Sequence, residues 1–286
     1  MNRKNKGICC IMMSAFCFAL MGIFVRMAGD LPSVEKSFFR NLVAMIFAGI
    51  ILFRNRIPLT IGKGNRLSML GRAGFGTIGI LCNFYAVDHL VVADASMLNK
   101  LSPFFAIVFS IIILKEVPKR YQIGCVLVAM IGCIFVVKPG FASTNTVGMI
   151  AGVCGGLSAG IAYTLVRKLG AGGVKGPVTV FCFSAFSCLV TLPLIILFYH
   201  SPMSVKQIFV LLGAGLAAAG GQFSITAAYT YAPAREISVY DYTQIIFSTV
   251  MGYLFFSEMP DVYSLIGYAI ICSASIIMFL MNQKQD

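Results

Sequence analysis

A carboxylate and an ammonium group are the side chains in this sequence best placed to do chemistry within apolar segments. Asp241 lies in the stretch SVYDYTQIIF, residues 238–247, just before a long apolar run. Lys100 lies in a similar setting, LNKLSPFF, residues 98–105. A charge inside a membrane costs about 2.5–3.5 kcal/mol on insertion scales, so such residues usually face a cavity and pair. The two residues therefore predict a polar site that binds a solute or exchanges a proton.

The positions of these two charges are related by an internal offset. Shifting the sequence by 142 residues places Asn99 on Asp241 and Lys100 on Tyr242. We therefore expect Lys100 and Asp241 to face a central cavity at nearly equal depth and to approach each other. Counting from residue 234 places Asp241 roughly 10 Å along its helix. The alternative is a structural ion pair that pins two halves of the protein together.

Other polar residues flank Asp241. On a helix Asp241 shares a face with Gln244, while Tyr240 and Tyr242 lie on either side of it. A tyrosine offers an aromatic face and a hydroxyl group, which suit planar or cationic solutes. Packing or anchoring at the membrane interface is the alternative for each tyrosine. Pro103 adds a break, because it removes the donor that the carbonyl of Asn99 would use in a regular helix; a simple packing kink is the other interpretation.

Three further candidates come from earlier segments. Asn83 and Tyr85, in CNFYAV, could bond a solute or hold helices together, at about 0.6 kcal/mol per bond. Arg40, in EKSFFRNL, could bind an anionic group. It could equally pair with Glu35 or Asp30, or extend toward the membrane interface.

Composition defines the setting of these residues. The 286 residues are 59% hydrophobic and 11% charged, with a mean hydropathy of +0.90, whereas soluble domains carry about 25% charged residues. This predicts an all-α protein embedded in the lipid bilayer. The net charge of +12 does not indicate nucleic-acid binding, because the basic residues stand between apolar runs. The ten cysteines show no metal-ligand spacing, and no nucleotide-binding loop is present, so we expect neither a cofactor nor a metal.

Hydropathy predicts ten membrane spans, since a helix needs about 20 apolar residues to cross the bilayer. Their approximate bounds are 7–28, 33–53, 67–87, 91–114, 120–137, 147–167, 177–199, 206–230, 234–256 and 262–281. Most of the 22 Lys and Arg residues, Arg72 among them, are assigned to one side. Basic loops are cytoplasmic, so we predict a multi-pass protein of the cell membrane with both termini in the cytoplasm.

The same offset of 142 residues indicates an internal repeat. It pairs Glu116 with Glu258, Pro118 with Pro260 and Tyr121 with Tyr263. We place the first repeat at 7–137, with spans 1–5, and the second at 147–281, with spans 6–10. An odd number of spans in each half requires opposite orientations, an arrangement common in secondary carriers.

The repeated segments resemble a known family. LNKLSPFFAIVFSIIILKEVPKRYQIG and YDYTQIIFSTVMGYLFFSEMPDVYSLIG are similar to the two EamA repeats of the drug/metabolite transporter superfamily. The resemblance covers essentially the whole chain and implies ten helices, an inverted 5+5 repeat and a central cavity. An early arginine in the second helix, here Arg40, also resembles the family pattern.

These observations predict a secondary transporter of a small polar or zwitterionic metabolite that works by alternating access, with proton coupling through Asp241 as a further hypothesis. A flippase for a lipid-linked sugar, which the superfamily also contains, is the alternative, and a membrane-embedded enzyme is a third. Glycines at 148, 152, 156 and 160 predict close helix packing or a dimer face. The oligomeric state stays open.

Overall fold

The computed structural model describes residues 3–115, 117–137, 145–198, 202–231 and 238–283, and these are helical apart from their connections. Two short 3₁₀ helices, Lys63–Asn65 and Ser238–Tyr242, accompany the α-helices. The α-helices are α1 (Arg3–Met27), α2 (Ser33–Arg54), α3 (Arg66–His89), α4 (Val92–Asn99), α5 (Ser102–Ile113), α6 (Arg120–Val137), α7 (Thr146–Ala171), α8 (Gly176–Phe198), α9 (Val205–Tyr231), α10 (Thr243–Phe256) and α11 (Val262–Gln283).

These elements make ten membrane crossings, as the sequence predicts. α4 and α5 form one apolar segment of 22 residues, Val92–Ile113. At 1.5 Å per residue, 22 residues span about 33 Å, which matches the hydrocarbon core. The 3₁₀ helix at Ser238–Tyr242 likewise continues into α10 to form the ninth crossing. The prediction of an all-α membrane protein with ten transmembrane helices is confirmed.

The helix packing follows a twofold pattern between the two halves. α1 packs against α9, and the equivalent pair, α7 and α3, packs in the same way. α2 lies against its counterpart α8, and α6 against its counterpart α11. Since each half contributes five crossings, the halves traverse the membrane in opposite senses, and the chain begins and ends on one face. We call this the terminal face and the other the opposite face.

The fourth and ninth crossings end in the same turn. Lys115, after α5, and Ser257, after α10, both adopt a left-handed backbone, with φ of 57° and 56°. They are related by the offset of 142 residues. In the second copy the amide groups of Ser257 and Glu258 donate to the carbonyls of Tyr253 and Gly252, which satisfies the end of the helix. Glu116 of the first copy lies outside the described residues.

The fourth crossing departs from the predicted single helix at 91–114. The α-helix stops at Asn99 and resumes at Ser102. Pro103 lies in the first turn of α5, where a helix needs no internal donor, so it starts a new helix and does not kink a continuous one.

The predicted α-helix at 234–256 is also corrected in its first part. Residues 238–242 are 3₁₀, and Asp241 precedes the α-helix that begins at Thr243. Side chains three apart eclipse in a 3₁₀ helix, so Asp241 and Gln244 still share a direction. The predicted start near residue 234 lies outside the described residues.

The glycines of α7 allow the interrupted fourth crossing to pack closely against this helix. A Cβ added at Gly156 would lie 2.6 Å from the carbonyl oxygen of Leu98, and one at Gly160 would lie 2.9 Å from that of Ser102. The backbone on both sides of the break therefore packs directly against the backbone of α7. Of the two predicted uses of this stripe, close packing within the chain is the one observed at these positions.

Candidate functional site

Lys100 and Asp241 form an ion pair where two crossings are interrupted. The Nζ atom of Lys100 lies 2.5 Å from Oδ2 of Asp241, and the two side chains are 9% and 18% exposed. Lys100 caps the C-terminus of α4, and Asp241 belongs to the 3₁₀ helix before α10. The irregular backbone at membrane depth is therefore buried in protein, the setting in which such backbone is tolerated.

Hydrogen bonds hold the break in the fourth crossing in one conformation. The amide groups of Lys100 and Leu101 donate to the carbonyls of Ser96 and Leu98 at 3.1 and 3.2 Å. The hydroxyl group of Tyr242 donates to the carbonyl of Lys100 at 3.2 Å. Tyr242 thus braces the residue that carries the ammonium group, whereas the sequence suggested solute contact, packing or interface anchoring for it.

A central cavity of about 140 Å³ lies beside the ion pair. Residues of both halves line it, and Arg40, Arg72, Lys100 and Asp241 provide its charged groups. Its uncharged polar lining consists of Asn83, Ser96, Asn99, Tyr163, Gln222 and Gln244. The cavity therefore combines charged groups with amide and hydroxyl groups that can donate and accept hydrogen bonds.

A second cavity of about 620 Å³ extends from the ion pair toward the terminal face. It runs between α5 and α7 and reaches Leu114 and Val117 near the end of the fourth crossing. Lys100, Asp241 and Tyr163 line both this cavity and the central one. The ion pair therefore stands where the two spaces meet.

Ion pairs connect helices at the opposite face. Arg26 of α1 pairs with Glu258 and also donates to the carbonyl of Leu90 at 2.7 Å. The fully buried Lys36 lies 2.6 Å from Oδ1 of Asp88. A shallow cavity of about 330 Å³ remains on this face. These contacts connect helices of both halves across the face, so Glu258 has an architectural role.

Two arginines lie close to one aromatic ring in the central cavity. The guanidinium carbons of Arg40 and Arg72 are 5.8 and 4.2 Å from the ring centroid of Phe183. Arg40 is 9% exposed and donates to Oδ1 of Asn41 at 2.7 Å. Within the part of the chain that the structure describes, no carboxylate forms an ion pair with either arginine. Arg40 therefore does not pair with Glu35 or Asp30, two of the alternatives left open.

The structure brings six of the nine predicted site residues to the central cavity. These are Arg40, Asn83, Asn99, Lys100, Asp241 and Gln244.

The three predicted tyrosines lie elsewhere. Tyr85 stacks on His89 with ring centroids 4.0 Å apart and lines the cavity of the opposite face. Tyr240 packs against Ile11 and Ala228, and Tyr242 braces the break. The direction of a tyrosine side chain depends on the rotation of its helix about the helix axis. The spacing of residues within one segment does not determine that rotation.

Arg72, Tyr163 and Phe183 also line the central cavity, although none was predicted as a site residue. The assignment of Arg72 to the basic loops is wrong, because it lies within α3 and lines the central cavity. The signal was available, since the predicted span at 67–87 already contains this arginine. Tyr163 and Phe183 stand in ordinary apolar helices, and nothing in their local sequence distinguishes them from packing residues.

Comparisons with known proteins identify the family of the chain. The model of the EamA-like transporter family matches residues 5–138 and 146–280. The pseudopaline exporter CntI of Pseudomonas aeruginosa (strain UCBPP-PA14) is 31% identical over 282 residues, covering 96% of each chain. The mouse solute carrier family 35 member G1 is 27% identical over 280 residues, covering 91% of this chain and 74% of the relative.

Two proteins of lower sequence identity also match nearly the whole chain. A riboflavin transporter of Brucella anthropi is 24% identical and covers 93% of this chain and 95% of its own length. A solved crystal structure superposes with a TM-score of 0.69 over 97% of this chain and 98% of its own, at 13% identity, which supports the fold alone.

Ten crossings around a polar central cavity define a membrane transporter. The chain belongs to the EamA-like transporter family, and the resemblance read from its repeated segments is confirmed.

Proposed function

We propose that this chain is a secondary transporter that moves a small polar or zwitterionic metabolite across the cell membrane by alternating access. The observation that carries the proposal is the position of the Lys100–Asp241 ion pair between the central cavity and the cavity of the terminal face. Separation of the pair would join the two spaces and admit a solute. Each partner comes from a different half of the chain, so relative movement of the halves changes their distance.

The contacts on the two faces support an inward and outward cycle. In this conformation the opposite face is held by Arg26 with Glu258 and by Lys36 with Asp88. The larger cavity lies on the terminal face. We propose 7–137 and 147–281 as the two repeat units, which exchange conformations so that the other face opens.

We propose that the terminal face is cytoplasmic. The connection between α2 and α3 lies on this face and contains Arg56 and Lys63, and the turn after α5 contains Lys115. Because basic loops stay in the cytoplasm, both termini are placed there. Attachment of an impermeant label to a cysteine introduced at either terminus, in intact cells, would contradict this orientation.

Proton coupling is a hypothesis that rests on Asp241. A proton on its carboxylate would remove the charge that holds Lys100 and would loosen the ion pair. Uptake into vesicles, with and without an imposed pH gradient, tests the idea in the wild type and in Asp241→Asn. The gradient is expected to drive flux only in the wild type. Flux that ignores the gradient in both proteins rules out this form of coupling.

Transport itself is tested in two stages. A thermal-shift screen of the purified protein against metabolites identifies stabilising solutes, and vesicle flux without ATP then measures their movement. Lys100→Met should abolish flux, while Tyr240→Phe, outside the cavity lining, should retain it. Chemical conversion of the solute during incubation, with no net flux, would instead indicate an enzyme.

A lipid-linked sugar or similar amphiphile is the second candidate substrate. The observation in its favour is the apolar part of the wall of the cavity on the terminal face, formed by Pro103, Ala106, Ile107, Leu114, Val117 and Val166. Such a surface suits an acyl or prenyl chain. Translocation of a fluorescent glycolipid in proteoliposomes, with no flux of soluble metabolites, would favour this candidate.

A further inference from the structure

We infer that Arg40, Arg72 and Phe183 form a subsite for a carboxylate, and that the solute carries a net negative charge. This inference rests on the proposed transport function and names the substrate class. Arg40 and Arg72 both line the central cavity and both face the ring of Phe183. They come from different helices, α2 and α3, so the subsite is built by the tertiary structure.

The charge of this cavity is not balanced by the protein. Lys100 and Asp241 neutralise each other at 2.5 Å, which leaves the two arginines as the uncompensated charges among the described groups of the lining. Guanidinium groups keep their charge in proteins. Two uncompensated cations inside a membrane are unfavourable, and an anionic solute removes that cost.

The unused hydrogen-bond donors point to the same ligand. The Nε atoms of Arg40 and Arg72 are buried and have no hydrogen-bond partner in the described part of the chain. A guanidinium group that interacts with an aromatic ring through its cationic charge still has N–H donors available at its edge. A carboxylate accepts two such bonds in parallel. The subsite therefore matches a planar oxyanion better than a hydroxyl or an amine.

A glycine positions one of the two arginines. A Cβ added at Gly76 would lie 2.1 Å from Nη1 of Arg72 and 2.8 Å from Cε2 of Phe183. The guanidinium group thus folds over Gly76, one helical turn further along α3. Any larger residue at position 76 would displace the group from the ring. Gly76 is a positioning residue, and it offers a variant that moves the charge without removing it.

The same cavity also has an acceptor. Oδ1 of Asp241 is buried and has no hydrogen-bond partner among the described residues, while Oδ2 is used by Lys100. An amine or hydroxyl group of the solute can donate to Oδ1. The solute class is therefore an acid that also carries a donor, such as an amino or hydroxy acid with more carboxylates than amines.

The chain contains no tryptophan, so a single introduced indole reports on this subsite alone. Phe183→Trp keeps an aromatic ring beside both arginines and strengthens its interaction with them. In this background we would titrate citrate, malate and succinate, with succinamide as the neutral analogue and putrescine as the cation. At least one acid is expected to change the fluorescence saturably, while succinamide and putrescine leave it unchanged.

Three variants and one control show where the acid binds. Arg40→Gln and Arg72→Gln are each expected to weaken acid binding at least tenfold. Gly76→Ala, which keeps both charges, should weaken it at least threefold, whereas Gly74→Ala on the same helix, with nothing within 4 Å of the added Cβ, should not. Thermal unfolding confirms that each variant is folded before titration.

The outcomes separate this inference from the transport proposal. Equal saturable responses to succinate and succinamide, no response to any acid up to tens of millimolar, or unchanged affinity in both arginine variants would overturn the subsite. Vesicle flux of neutral or cationic solutes would then leave transport standing without it. Binding of acids that depends on the arginines, with no flux of any bound acid, would retain the subsite and refute transport.

Discussion

Nζ of Lys100 and Oδ2 of Asp241 lie 2.5 Å apart although 141 positions separate them in the chain. Each stands where its crossing departs from the α-helix, and the two crossings occupy equivalent places in the two halves. The contact therefore links the interruptions of the repeats at the point where two cavities meet. A change in how the halves are arranged would alter this distance.

Loss of one member of the ion pair should be worse than loss of both. Asp241→Asn or Lys100→Met leaves a mostly buried charge without its partner, at a cost of about 3 kcal/mol. The double variant removes both charges and should recover part of this loss. Thermal unfolding in detergent measures the three variants, and a double variant whose loss equals the sum of the single losses would show that the two residues act independently.

Because α7 packs closely against the interrupted fourth crossing, we expect substitution of Gly156 to reduce stability. Gly156→Ala places a Cβ 2.6 Å from the carbonyl oxygen of Leu98, and overpacking of this kind costs about 1–3 kcal/mol. The control is Gly170→Ala in the same helix, where the added Cβ meets nothing within 4 Å. Its stability should stay the same or rise slightly. Equal losses in both variants would contradict the packing described for α7.

The hydroxyl group of Tyr242 is expected to contribute to stability, and that of Tyr240 is not. Tyr242→Phe removes the bond to the carbonyl of Lys100 and should cost about 1 kcal/mol. Tyr240→Phe is the matched control, because its ring packs against Ile11 and Ala228. Thermal unfolding of both variants is the measurement. A larger loss for Tyr240→Phe would mean that the brace is not at Tyr242.

Contacts of Glu258 predict which face of the protein opens when they are removed. Glu258→Gln weakens the pair with Arg26, while its side chain also accepts from the amide of Val92 at 3.1 Å. The opposite face should then open more often. Labelling of a cysteine at position 83, in a background without the native cysteines, should become faster from that face and slower from the terminal face.

A matched change nearby controls for general loosening. Asp261→Asn alters a carboxylate on the same face that accepts from the amide of Ser264 at 2.8 Å. Labelling at position 83 should be close to that of the parent protein. If Glu258→Gln and Asp261→Asn give the same labelling rates, the pair with Arg26 does not hold the face closed.

Much of the architecture can be predicted from the sequence because a lipid bilayer restricts each membrane-spanning segment locally. Each crossing must satisfy its own backbone within about 20 apolar residues, so hydropathy predicts ten spans whose bounds fall within a few residues of the helices. The breaks at Lys100 and before Thr243 are less readable, because a helix in lipid stops only where neighbouring helices or a cavity accept its free groups.

The candidate site also contains some residues that the sequence predicts and others that only the tertiary structure places. Charged and amide groups inside apolar runs are costly without a cavity, so Arg40, Asn83, Asn99, Lys100, Asp241 and Gln244 could be nominated from residue type and depth alone. The rotation of each helix about its axis is set by packing against its neighbours. That rotation turns Tyr240 and Tyr242 away from the cavity.

The sequence by itself determined that this protein lies in lipid, that it crosses the membrane ten times and that Lys100 and Asp241 are candidate site residues, because each follows from the cost of placing polar groups in lipid. Their direct contact is seen only in the structure. Only the tertiary structure decided that Arg72 folds over Gly76 to share the ring of Phe183 with Arg40. The physical reason is that this arrangement needs three helices whose side chains meet across the cavity. No pattern within a single segment encodes such a meeting.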